Sequence, residues 1–178
     1  MGRRTETTEY LMECIADALL DLMKKMPIDK IKIQEITDLA GVGRMTYFRY
    51  FHSKSEVLIY KMKLLWHNWA QMNPYPHEGS LYEQTLWFFR FCQSIQPVLL
   101  ILGKQGQYEA LLSVLLIVAA PMETAYSHSG YLKMYAAYGM LGVMIAWIQN
   151  NFKETPEELA RICVNANMKM SHLAGFRS

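Results

Sequence analysis

IQEITDLAGVGRMTYFRYFHSK, residues 33–54, contains two short helices joined by a glycine turn. Ile33, Ile36, Leu39 and Ala40 fall three and four apart, which puts them on one face of a helix of about two turns. Gly41 ends that helix, because glycine accepts the left-handed backbone of a helix terminus, and Val42 can pack back on the last turn. The next run, Arg44 to Phe51, buries a face through Val42, Tyr47 and Phe51 and leaves Arg44, Met45, Thr46, Arg49 and Tyr50 to point elsewhere. Guanidinium, hydroxyl and phenol groups on one short helix are what reaches base edges and phosphate oxygens in a DNA major groove. The expected motif is a helix-turn-helix.

Outward from this stretch the charge is uneven. The formal net charge is only +2, but from Gly41 to Lys63 the cations Arg44, Arg49, Lys54, Lys61 and Lys63 face the single acid Glu56. From Leu64 onward seven cations balance seven acids. The positive field is therefore expected in the first third of the chain, above a neutral, apolar remainder. With 178 residues, 52% of them hydrophobic and 19% charged, the chain can form a compact core.

Cys14, Cys92 and Cys163 lie far apart in apolar stretches, which suggests neither a disulfide framework nor a metal knuckle. The five histidines have no metal spacing, no glycine-rich phosphate loop occurs, and no Ser, Cys or carboxylate stands in a catalytic setting. The expectation is a non-enzyme without metal or cofactor. MGRRTETTEY has no apolar core for a signal peptide, and the most apolar segment, Ala110 to Met122, is too short to span a bilayer. A cytoplasmic protein with no membrane partner is expected.

Along the chain only helical signals appear. A first helix is expected from about Thr8 to Lys25, with Leu11, Ile15, Ala18, Leu19 and Leu22 as its apolar stripe and Met26-Pro27 as its end. Arg3 and Arg4 ahead of it suit either a flexible minor-groove arm or a disordered basic tail. Ser53 and Glu56 have capping-box spacing and open a long helix that breaks at Asn73-Pro74-Tyr75-Pro76. Ser80 caps Leu81 to about Ser94, and Pro97 suits the first turn of a short helix reaching Leu102. Tyr108 to about His128 makes another helix, kinked at Pro121. In Tyr131 to Asn150 the residues Tyr135, Gly139, Gly142 and Ala146 recur four, three and four apart, a small-residue strip that lets another helix come close. Thr155, Pro156 and Glu158 start a last helix whose stripe is Leu159, Ile162, Cys163, Ala166, Met170 and Leu173.

The N-terminal third resembles the TetR family of bacterial transcriptional regulators. Ile33-Gln-Glu-Ile36, Ala40-Gly41-Val42-Gly43, Arg44 to Phe51, and Lys54 followed by Glu56-Val57-Leu58 follow the family's signature, over roughly residues 8 to 62. A weaker similarity, in Tyr138-Gly139, Trp147-Ile148 and Thr155 to Ala160, is to the subgroup related to the dihydroxyacetone-kinase activator. The resemblance implies an all-α fold of about nine helices. A three-helix DNA-binding unit, residues 1–53, precedes a ligand-binding and dimerisation bundle, 54–178, with the helix from 54 to about 72 as connector.

The resemblance also implies a homodimer on palindromic double-stranded DNA and release by a small-molecule effector. Lys32, Gln34, Arg44, Met45, Thr46, Phe48, Arg49, Tyr50 and Lys54 are the expected DNA contacts. This chain departs from the family in having Gly43 at the helix cap, Lys32 where Thr is common, and Phe48 where a phosphate-contacting Tyr is usual. Gly139, Gly142, Ala146, Leu159, Ile162, Cys163, Ala166 and Met170 are the expected dimer contacts, since such faces would otherwise be exposed. Trp66, Trp69, Trp87, Phe91, Tyr108 and Tyr138 suit either core packing or the wall of an effector pocket. The alternative to a DNA-binding repressor is a TetR-like adaptor or co-activator acting through protein contacts.

Overall fold

The computed structural model describes residues 2–118 and 128–173, with side chains over 7–117, at 131 and over 134–166. Among the described residues there are nine α-helices and no strand. Helix α1 (Gly2–Met23) buries Ile15, Ala16, Leu19 and Met23. It starts earlier than the sequence suggested, so the backbone of Arg3 and Arg4 is helical and not an arm. It also stops two residues short of Lys25, as the chain tightens onto the Leu22 carbonyl ahead of Pro27.

A 3-10 turn at Ile28–Lys30 leads to α2 (Ile33–Ala40), α3 (Arg44–Tyr50) and the long α4 (Lys54–Met72). Ser53 caps α4 by accepting from the Glu56 N–H at 3.1 Å. The Glu56 carboxylate does not complete the expected box, because it reaches one residue further back and accepts from the His52 N–H at 2.7 Å. Asn73 closes the far end of α4, its side-chain amide donating to the Trp69 carbonyl at 3.0 Å.

Beyond the Pro74 to Gly79 break come α5 (Leu81–Ser94) and α6 (Gln96–Lys104), bent 76° from each other. Ser80 and Glu83 form a reciprocal capping box at the start of α5. Helix α7 (Tyr108–Val118) follows the left-handed Gly106, and the Pro121 kink lies outside the described residues. Helix α8 (His128–Gln149) passes close to α6, where a Cβ on Gly103 would meet Ile148 Cγ2 at 2.4 Å. Only glycine allows that approach.

Helix α9 (Pro156–Leu173) opens with the expected Thr155–Glu158 box. The turn before it was not legible in the sequence: Asn151 and Phe152 have positive φ without a glycine, and the Phe152 ring lies 4.5 Å from Trp147.

Helix α1 packs on α2, α3 and α4, α4 on α7, α5 on α9, and α8 on α6 and α7. The buried side chains form one continuous cluster from Ile15 to Ala160. Among the described residues no single helix is long and apolar enough to cross a membrane.

Candidate functional site

The turn between α2 and α3 is built as its sequence requires. Gly41 has φ 66° and ψ 31°, and Val42 N–H closes back on the Thr37 carbonyl at 3.0 Å. Tyr47 and Phe51 then fasten α3 to the core, their rings 6.0 Å apart. With those two inward, Arg44, Met45, Phe48 and Arg49 share the opposite, exposed face. Met45 is 78% and Phe48 46% exposed. The Arg44 guanidinium sits 6.0 Å from the centre of the Phe48 ring. Among the described residues neither Arg44 nor Arg49 takes part in an ion pair, so both are available to an outside acceptor.

Other expected contacts are engaged within the fold. Tyr50 is half-buried and packs on the core, its hydroxyl 3.4 Å from Thr8 Oγ1, so it faces α1 more than solvent. Gln34 donates its amide to Asp38 at 2.6 Å. Lys32 stands exposed at the start of α2, where its backbone N–H donates to Glu35 at 2.7 Å. Thr46 is half-buried. Lys54 donates its ammonium to the carbonyls of Ile28 and, at 3.0 Å, of Ile31, which ties α4 to the link before α2. Lys61 does not add to the positive field: it is 8% exposed and lies 2.7 Å from Asp17 and 3.2 Å from Glu13 on α1. The outward charge of this face therefore rests on the two arginines and Lys32.

In the body of the protein, Trp66, Trp69, Trp87 and Phe91 pack on one another. Trp66 meets Trp87 edge-to-face at 5.0 Å and Phe91 at 4.9 Å. Trp87 Nε1 donates to the Asn73 carbonyl at 2.9 Å. Tyr108 donates to the Gly103 carbonyl at 3.3 Å, and Tyr138 is exposed on α8. An apolar cavity of about 160 Å³ lies elsewhere, between α5, α7 and α8, lined by Tyr75, Gln84, Thr85, Phe88, Ala137 and Met140 among others. No sequence period announces it, because its walls come from four separate segments.

Residues 108–168, which span α7, α8 and most of α9, match a TetR family model described as a transcriptional regulator C-terminal region. Over that third of the chain the sequence is similar to the C-terminal region of TetR-type transcriptional regulators. Its fold is similar to that of the TetR family repressor AlkX from Dietzia sp. strain DQ12-45-1b, implicated in biodegradation of n-alkanes. The similarity has a TM-score of 0.50 and 16% identity, over 87% of this chain and 91% of that one. The dihydroxyacetone kinase operon activator DhaS aligns at a TM-score of 0.49 and 18% identity, over 92% of this chain and 97% of that one. No curated protein matches the sequence.

The matched segment leaves one face uncovered. Gly139, Gly142 and Ala146 are exposed on α8, beside the exposed Tyr131, Tyr135 and Tyr138, and nothing stands within 4 Å of a Cβ on either glycine. On α9, Ile162 is 55% exposed and Ala166 is exposed. Leu159 differs from its expected place in a dimer contact: at 6% exposure it belongs to the chain's own core, on the side where α9 packs against α5. Cys163 is half-buried between the two sides, and burial raises its thiol pKa. The Met170 side chain lies outside the described ones.

Proposed function

We propose that the chain is a homodimeric repressor that binds a palindromic DNA operator in the cytoplasm and is released by a small hydrophobic or amphipathic effector. In this reading residues 1–53 are the DNA-binding unit, residues 54–178 carry effector and dimer contacts, and α4 connects them. The observation that carries it is the α3 face, where Arg44 and Arg49 stand free beside Met45 and Phe48. Arginine donates in pairs to guanine O6 and N7, and Met45 and Phe48 offer apolar contact for a thymine methyl. Lys32, Thr46 and the remaining ammonium proton of Lys54 supply phosphate contacts, with Gln34 and Tyr50 at the edges.

The exposed small residues of α8 and the Ile162–Ala166 strip of α9 support the twofold contact, because a face with so little side chain lets a second helix pair pack closely. Two α3 helices in successive major grooves then require half-sites about 10 bp apart.

Selection from random DNA duplexes tests this directly. The expected result is a palindrome whose binding weakens steeply with salt, and whose base preference relaxes at one position in Arg44→Ala. If no sequence is enriched, the repressor reading fails and an adaptor acting through protein contacts replaces it. A light-scattering mass near the 20.7 kDa of one chain at micromolar concentration removes the dimer.

A further inference from the structure

We propose that the cavity between α5, α7 and α8 takes a neutral, single-ring-sized molecule bearing one hydrogen-bond donor, of the phenol class. The proposal deepens the effector reading above and rests on it for its biological role, though not for the binding itself. Size sets the first limit. At about 160 Å³ the space is close to that of an apolar protein cavity of about 150 Å³ that holds benzene.

The walls set the second limit. Phe88 and the ring of Tyr75 face Ala137 and Met140, and no charged side chain lines the space among the described residues. Against these walls a charged ligand would leave water with no counter-ion among the described residues, a penalty that phenols and alcohols avoid.

The polar groups set the third limit. The Thr85 hydroxyl proton is committed to the Leu81 carbonyl at 2.6 Å. The Gln84 amide nitrogen donates to the Gly79 carbonyl at 3.0 Å, with the Pro76 and His77 carbonyls at 3.4 Å. What these two residues can still offer is oxygen lone pairs, and the Tyr75 hydroxyl can accept as well as donate, so an occupant that brings one proton is matched by every polar group in the lining.

Tyr75 also makes occupancy observable. Its ring meets Trp87 edge-to-face at 5.1 Å, so a molecule against Tyr75 changes the surroundings of a fluorophore.

The test is calorimetric and fluorimetric titration of the whole chain with p-cresol, toluene, benzoate and benzylamine. Saturable binding of p-cresol, one per chain and at least tenfold tighter than either charged analogue, is expected. Ala136→Phe, at an exposed position on the cavity rim, should abolish binding while the protein still unfolds cooperatively. Thr85→Val should weaken p-cresol about tenfold and leave toluene unchanged. No saturable p-cresol binding, equal binding of benzoate, or unaltered binding to a folded Ala136→Phe variant each overturns the site. Operator affinity is measured in parallel: p-cresol binding that leaves it unchanged supports the site and overturns its role as the effector's.

Discussion

Gln105 accepts a hydrogen bond from the Ile28 N–H at 2.6 Å, across 77 residues of sequence. The same side chain donates to the carbonyls of Met23 at 2.7 Å and Met26 at 3.0 Å. One amide at the end of α6 therefore satisfies three backbone groups in the link between α1 and α2, and the Lys54 ammonium holds the Ile28 and Ile31 carbonyls of that link from α4. The helix-turn-helix is fixed to the body at this link.

Gln105→Ala leaves those three groups without their partner. Buried polar groups cost about 1–3 kcal/mol each when orphaned, and these are part-buried, so a loss of about 2 kcal/mol in urea unfolding is expected. A loss below about 0.5 kcal/mol would mean that water replaces the amide at no cost.

Lys61 and its partners should respond unequally. The lysine side chain is 10% exposed, while Glu13 and Asp17 are 46% and 53% exposed and can be hydrated alone. Lys61→Met should cost about 1 kcal/mol, whereas Glu13→Gln with Asp17→Asn strands a buried ammonium and should cost about 3 kcal/mol. Equal costs would contradict the buried placement of Lys61.

Tyr47 is fully buried, and its hydroxyl has no hydrogen-bond partner among the described residues. Burial, with a smaller push from the Glu56 carboxylate, raises its phenol to about 12. The fold holds the neutral form. This contribution to stability is therefore complete below about pH 10, the ordinary tyrosine value, and is lost as pH rises toward 12. Tyr47→Phe keeps the ring, removes the orphan hydroxyl, and should raise stability at neutral pH by about 0.5–1 kcal/mol. Its stability should also fall less steeply between pH 10 and 12. An identical alkaline slope in both proteins would assign that loss to other tyrosines.

Gly43 caps α3 with extended backbone and no side-chain acceptor, and a Cβ there meets nothing within 4 Å. Gly43→Ser should add a cap worth about 0.3 kcal/mol, read as a small rise in melting temperature. A fall would show that the turn needs more freedom at this residue than its φ of −78° indicates.

The parts legible in the sequence are those whose partners lie three or four residues away. Gly41, the Ser80 cap, the Thr155–Glu158 box and the inward pair Tyr47 and Phe51 belong to that group, because helix geometry fixes such spacings. Gln105, Lys54 and Lys61 escaped because their partners are separated from them by 23 to 82 residues, and spacing carries no information at that range. Leu159 was misplaced for a related reason. Helix α9 has apolar residues on two sides, and periodicity alone does not say which side α5 covers. Tyr50 faces inward toward Thr8 on α1, a partner 42 residues away that spacing does not reveal. Of the aromatics grouped as a pocket wall, Trp66, Trp69, Trp87 and Phe91 pack edge-on against one another, and the apolar cavity between α5, α7 and α8 is bounded instead by small residues on α8.

Helix α4 is held at both ends, by Lys54 on the Ile28–Ile31 link and by the Trp87 indole on the Asn73 carbonyl. Its 19 residues span about 28 Å, so a tilt of about 5° about the Asn73 end swings the Ser53 end through about 2.5 Å. A hydrogen bond to a base edge tolerates only a few tenths of an ångström. Angular play too slight to disturb the packing around Trp87 is thus magnified, at the opposite end, into a displacement of the arginine-bearing α3 face that exceeds such a tolerance several-fold.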